Sequence, residues 1–170
     1  MKIHQVAVNY LHEHDRILVQ VNNARHEEIR FWLTRRLCCD WIPVLNASVL
    51  DLLQRQLPMQ ASSGGAEASD FDKPYRQAVQ HWPLGVRPLL VGSVQMSPST
   101  CGGVRFAFEE TAERLGEQRR FQALMTRPLV QAFAHLLDHA LDASEWQPAG
   151  WSGTIPKESI GALDPGSYLH

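Results

Sequence analysis

The pattern of apolar and polar positions along this chain changes period, then repeats the same change further on. Ile17-Leu18-Val19-Gln20-Val21 alternates with a period of two, the mark of a strand with one buried face. Asn22 and Asn23 follow as turn residues, and Glu28-Ile29-Arg30-Phe31-Trp32-Leu33 alternates again up to Thr34-Arg35-Arg36. The period then becomes helical, with Leu37, Trp41, Leu45, Val49 and Leu52 on one stripe. A further strand precedes these elements around Val6-Ala7-Val8. The opening therefore reads strand, strand, strand, helix.

Residues 87–146 read the same way. A strand covers 89–96, and Val104-Arg105-Phe106-Ala107-Phe108 alternates as a second. A charged turn over 109–117 leads to Arg120-Phe121-Gln122-Ala123-Leu124-Met125, which alternates and ends in Thr126-Arg127-Pro128. The helix that follows places Leu129, Phe133, Leu136, Leu137, Ala140 and Leu141 on its apolar side. Leu33-Thr34-Arg35-Arg36-Leu37 thus aligns with Met125-Thr126-Arg127-Pro128-Leu129. Four elements in the same order point to an internal duplication. The first unit spans residues 1–56 and the second 87–146. The small, polar, glycine-bearing stretch 61–70 marks 57–86 as a linker, with a short helix or a packed aromatic (Tyr75 or Trp82) in its later part. Residues 147–170 are rich in Pro, Gly and Ser and read as an irregular tail, its start anchored by Trp146 and Trp151.

A three-stranded unit with one helix is too small to bury a core by itself. The expected fold is therefore α+β: two β-β-β-α units joined edge to edge in one antiparallel sheet, with both helices on one face. The inward residues are then Val19, Val21, Ile29, Phe31 and Leu33, with Phe106, Phe108, Phe121, Ala123 and Met125. Leu37, Trp41, Leu45, Phe133, Leu136 and Leu137 close over them. Leu18, Trp32, Ala107 and Leu124 fall on the outer face, an apolar stripe that calls for a cover: the linker or tail, a partner, or nucleic acid stacked on Trp32.

Composition narrows this picture. The chain of 170 residues is 44% hydrophobic and 20% charged, a globular balance. Its net charge of −2 and pI of about 6.4 count against a protein that grips nucleic acid mainly through phosphates. No apolar run approaches membrane-spanning length, no signal peptide is visible, and Cys38, Cys39 and Cys101 do not form a disulfide framework. A reducing cytoplasm is the expected compartment.

The two Thr-Arg corners carry the most distinctive chemistry. Thr34 and Thr126 are suited to cap the helices. Arg35, Arg36 and Arg127 place cations where the helix dipole disfavours them. Either an anion sits at these helix starts, or the arginines reach carboxylates such as Glu27, Glu28 or Asp40. His135 and His139, spaced i, i+4, lie on the polar side of the second helix with Gln131 and Asp142. With no third ligand evident, no metal or other cofactor is expected. His12-Glu13-His14-Asp15 reads as a polar hairpin turn, Cys101 as a loop residue and Cys38 or Cys39 as core. Pro43 should kink or break the first helix.

The segment from Asp15-Arg16-Ile17-Leu18 to Trp32-Leu33-Thr34-Arg35-Arg36 resembles the opening of a family of small uncharacterised bacterial proteins. The resemblance covers about the first quarter of the chain and implies a bacterial origin, with no activity attached. Duplicated sheet-plus-helix units are also similar, in outline, to single-stranded nucleic acid binders of the PUR-repeat and Whirly type, which have four strands per unit and a more basic face. The leading expectation is a non-enzymatic interaction or scaffold module, self-associating or meeting another protein through Leu18, Trp32 and Leu124. The second is a single-stranded nucleic acid binder using Trp32 with Arg30, Arg35, Arg36, Arg105 and Arg127.

Overall fold

The computed structural model describes residues 1–54, 75, 79–100, 103–111 and 118–146. Strands β1 (Gln5–Leu11), β2 (Arg16–Asn22) and β3 (Glu28–Leu33) precede helix α1 (Arg35–Gln54). Strands β4 (Leu89–Pro98), β5 (Val104–Glu110) and β6 (Arg120–Met125) precede helix α2 (Arg127–Ser144). The sheet order follows the chain, from β1 to β6.

Within each half the pairing is antiparallel, in unbroken register for β1 and β2 and with a shift between Val91 and Ser93 for β4 and β5. Val19 faces Val8 on one side and Phe31 on the other, while Phe106 faces Met96 and Ala123. Between the halves the pairing is parallel, through Phe31 with Leu89 and Trp32 with Leu90. The sheet is therefore mixed, not antiparallel throughout. The cause is the long connection, which returns the chain to the end of the sheet where β3 began, with His81 opposite Glu27, so that β4 leaves in the same direction.

The sheet is also closed. Residues 1–3, ahead of β1, run parallel to β6, with Lys2 opposite Leu124. The Leu124 N–H donates to the Met1 carbonyl at 2.9 Å and the Ile3 N–H to the Leu124 carbonyl at 3.3 Å. The terminal ammonium of Met1 donates to the Gln122 carbonyl at 2.7 Å. This second parallel seam turns the sheet into a six-stranded barrel, which leaves neither β1 nor β6 a fully unpaired edge.

The barrel is filled by both halves together. Phe31 of β3 lies 4.7 Å from Phe108 and 5.4 Å from Phe121 between ring centroids, and those two stack at 4.8 Å. Trp41 of α1 and Phe133 of α2 meet Phe106, and the Trp41 indole N–H donates to the Met96 sulfur at 3.1 Å. α1 packs against β4, α2 against β1, and the helices touch each other. Every strand residue expected to face inward is buried, as are Trp41, Leu45, Phe133 and Leu137; Leu37 and Leu136 are half-buried. Leu18, Trp32, Ala107 and Leu124 are half-buried on the outer side.

Several local expectations change. α1 runs unbroken through Pro43, which faces solvent. Asn22 closes β2 and is buried, leaving the turn to residues 23–27. β5 extends through Glu110 into the expected charged turn. The described residues between 79 and 82 are not helical; the Gln80 N–H donates to His26 O at 3.0 Å and the Glu28 N–H to His81 O at 2.9 Å, extending the β3 side of the sheet. The core of the linker over 61–70, Cys101, the side chains of Val49 and Leu52, and the tail over 147–170 with Trp151 lie outside the described residues. No helix among the described residues is long and apolar enough to cross a membrane.

One position tests the closeness of this packing directly. A Cβ on Gly103 would stand 2.3 Å from the Met125 carbonyl oxygen. Gly103→Ala must push β5 from β6 and is expected to cost about 2 kcal/mol, within the usual range for overpacking. Urea unfolding measures it, and an unchanged midpoint would contradict this contact.

Candidate functional site

Strand direction places the two Thr-Arg corners. β1, β3, β4 and β6 run one way and β2 and β5 the other, so α1 and α2 both start at the same end of the barrel. Arg35 and Arg36 are exposed there and Arg127 is half-buried. The corners are not chemically identical. The Thr34 hydroxyl accepts the Leu37 N–H at 3.3 Å, an N-cap, whereas Thr126 occupies the cap position without a side-chain hydrogen bond and is followed by Pro128 in the first turn.

Glu27 and Glu28 lie at the start of β3, a strand's length from Arg35 and Arg36 at its end, and so cannot be their partners. The carboxylate that Arg35 influences is Asp15, in the β1–β2 hairpin. Asp15 is held below the ordinary carboxylate range, first by a hydrogen bond from the Tyr10 hydroxyl at 2.8 Å and then by one from the Trp146 indole at 2.9 Å, with Arg35 adding charge. Tyr10 is raised in turn, chiefly by that same bond. Trp146, which is buried, thereby ties the end of α2 to the hairpin, with its ring 5.6 Å from Tyr10.

The opposite end carries two buried carboxylates. Glu28 accepts hydrogen bonds from the Tyr75 hydroxyl and from Arg30 Nε, each at 2.5 Å. Burial pushes the Tyr75 hydroxyl up, and the Glu28 bond raises it further. Tyr75 thus fastens the linker to the outer side of β3, and Arg30 pairs with Glu28 through Nε while its side chain stays partly exposed. Glu110 is gripped at both oxygens by Arg119, whose guanidinium also donates to the carbonyls of Leu84 at 2.9 Å and Arg87 at 3.0 Å. Arg119 holds the Glu110 carboxyl below its ordinary value.

On the outer side, the half-buried residues separate into two places. Leu18 lies opposite Trp32, and Trp32 beside Leu90, forming one row across β2, β3 and β4; His14 covers one edge of Trp32 at 5.3 Å. Leu124 is apart from that row, set between Arg105 and Lys2. The His135 and His139 rings stand perpendicular at 5.2 Å, and among the described residues no group of three or more metal-binding side chains forms. Cys38 is buried, and burial raises its thiol to about 12, so at neutral pH it is a protonated core group.

The Trp146 knot and the Tyr75–Glu28 bond escaped the sequence reading because their partners lie 131 and 47 residues apart, whereas the ion pairs are local but look like ordinary strand charges in sequence. Glu109-Glu110 and Arg119-Arg120 flank one turn, and that flanking was the single available signal. In comparisons with protein-family models, with curated proteins and with solved structures, nothing matches this chain.

Proposed function

We propose that this protein is a non-enzymatic interaction module that self-associates through its outer barrel face. The observation that carries this reading is the row Leu18–Trp32–Leu90, three apolar side chains on adjacent strands pointing away from the filled interior. An aromatic at the centre of such a row is the usual anchor of a protein interface. Leu124, ringed by Arg105 and Lys2, is a lesser contact.

The test is light scattering after size exclusion, over a concentration series, on the wild type and Trp32→Ala. The wild type is expected to form a defined oligomer, and Trp32→Ala to weaken it at least tenfold with the circular dichroism unchanged. A wild type that stays monomeric at roughly 100 μM, a concentration where even weak interfaces register, would sink the reading.

Single-stranded nucleic acid binding is the second reading, favoured by the placement of both arginine corners at one barrel end. Under it, anisotropy of labelled oligothymidylate should show tight, salt-sensitive binding, and Arg35→Ala with Arg36→Ala should flatten the salt slope.

A further inference from the structure

The chain leaves β3 after His81, which pairs with Glu27, and rejoins it at Leu89, which pairs with Phe31. Residues 82–88 form the loop between these two pairings. Their conformation is fixed. The Gly85 N–H donates to the Trp82 carbonyl at 2.9 Å, closing a turn in which Pro83 presets the backbone and Gly85 takes a φ of 83°. Leu84 packs against the core, and Arg119, itself locked by Glu110, holds the carbonyls of Leu84, Arg87 and Pro88.

What this fixed loop presents is apolar. Among the described residues the exposed large hydrophobics are Val44, Trp82 and Val86, so two of the three sit here, with Val86 at 61% exposure. The surround is basic. Arg87 is exposed on the loop, Arg25 and His26 on the turn that hydrogen-bonds Gln80, and Arg120 beside Arg119. The described acidic groups of this end are less exposed than these cations: Glu28 and Glu110 are buried in their ion pairs, and Glu27 and Glu109 are half-buried, accepting hydrogen bonds from Asn23 and Ser93.

We propose that the 82–87 loop is a preorganised docking knuckle for a protein partner that offers an apolar pocket with an acidic rim. The proposal rests on the interaction-module reading and adds a second surface, distinct from the Leu18–Trp32–Leu90 row. A rigid loop loses little entropy on binding, so Trp82 and Val86 can act as anchors. The most exposed anchor is aliphatic, and Trp82, at 37% exposure, shows only part of its ring. A pocket suits that pair, whereas a stacked base needs an open aromatic face.

The experiment is a selection of random dodecapeptides displayed on phage against the full-length wild type, with each enriched peptide then measured by anisotropy. The selected peptides are expected to combine Asp or Glu with large apolar residues. Their affinity should fall at least tenfold for Val86→Asp and for Arg87→Glu, exposed changes whose unfolding midpoints serve as the folding control. It should stay unchanged for Trp32→Ala. Peptides that bind all variants alike overturn the knuckle while leaving the interaction-module reading in place. The absence of any Val86-dependent binder likewise overturns it. A loss of wild-type self-association in Val86→Asp would overturn the foreign-partner assignment in favour of a second copy. Salt-sensitive binding of oligothymidylate abolished by Arg87→Glu would overturn it in favour of nucleic acid.

Discussion

Phe108→Ala should lower the unfolding free energy by about 3–5 kcal/mol, the usual cost of removing a fully buried aromatic ring. Phe108 is where the halves meet: its ring contacts Phe31 of β3, Trp41 of α1, and Phe106 and Phe121 of the second half. Neighbours contributed from strands on both sides of the parallel seam cannot all follow it into the gap. Given the modest stability of small domains, the variant should be close to unfolding at physiological temperature. Urea titration monitored by tryptophan fluorescence gives the number. A loss below roughly 1 kcal/mol would mean that the site collapses easily and that the interior is looser than described.

The second large effect concerns Arg119. Arg119→Ala leaves Glu110 buried without its cation and releases the carbonyls of Leu84, Arg87 and Pro88. Stranding a buried carboxylate is costly, and with Arg119 partly open to solvent the expected loss is about 2–3 kcal/mol at neutral pH. The pH dependence gives a sharper test. Because Arg119 lowers the Glu110 pKa in the folded state, the pair's contribution is complete above the ordinary glutamate value of 4.5. It is lost as the pH falls through the lowered folded-state value. The gap between wild type and Arg119→Ala should therefore be constant near neutrality and shrink below about pH 4. A gap that persists undiminished in acid would assign the effect to the carbonyl contacts alone.

Much of the fold was legible because the alternation is strong. The inward residues of β2, β3, β5 and β6 follow from period-two spacing, and the helical stripe through Trp41 and Leu45 from the longer period. Closure was not legible. Residues 1–3 are Met-Lys-Ile, too short to show a period, and their partner is at the far end of the second half. The parallel seam was missed for a related reason, since strand direction depends on the path of a linker whose composition carries no directional signal. At the site, the capping role of Thr34 was readable from local spacing. The fates of Arg30, Glu28 and Glu110 were not, because charged residues in a strand look alike in sequence whether they face water or a buried partner. Tyr75 shows the same limit: a tyrosine in a polar linker gives no hint that its hydroxyl will meet a carboxylate.

Barrel closure also bears on the order of events during synthesis. Met1 and Gln122 are hydrogen-bonded across 121 residues of sequence, so residues 1–3 wait for β6 to be made. At ribosomal rates of about 5–20 residues per second, that wait is on the order of ten seconds. Throughout it the first half exposes Val19, Val21 and Phe31, residues that are fully covered only once the second half arrives. Such a high-contact-order closing step is slow compared with helix formation, and until it completes the nascent chain presents both a bare apolar surface and an open strand. Demand for a chaperone during translation should therefore centre on the first three strands.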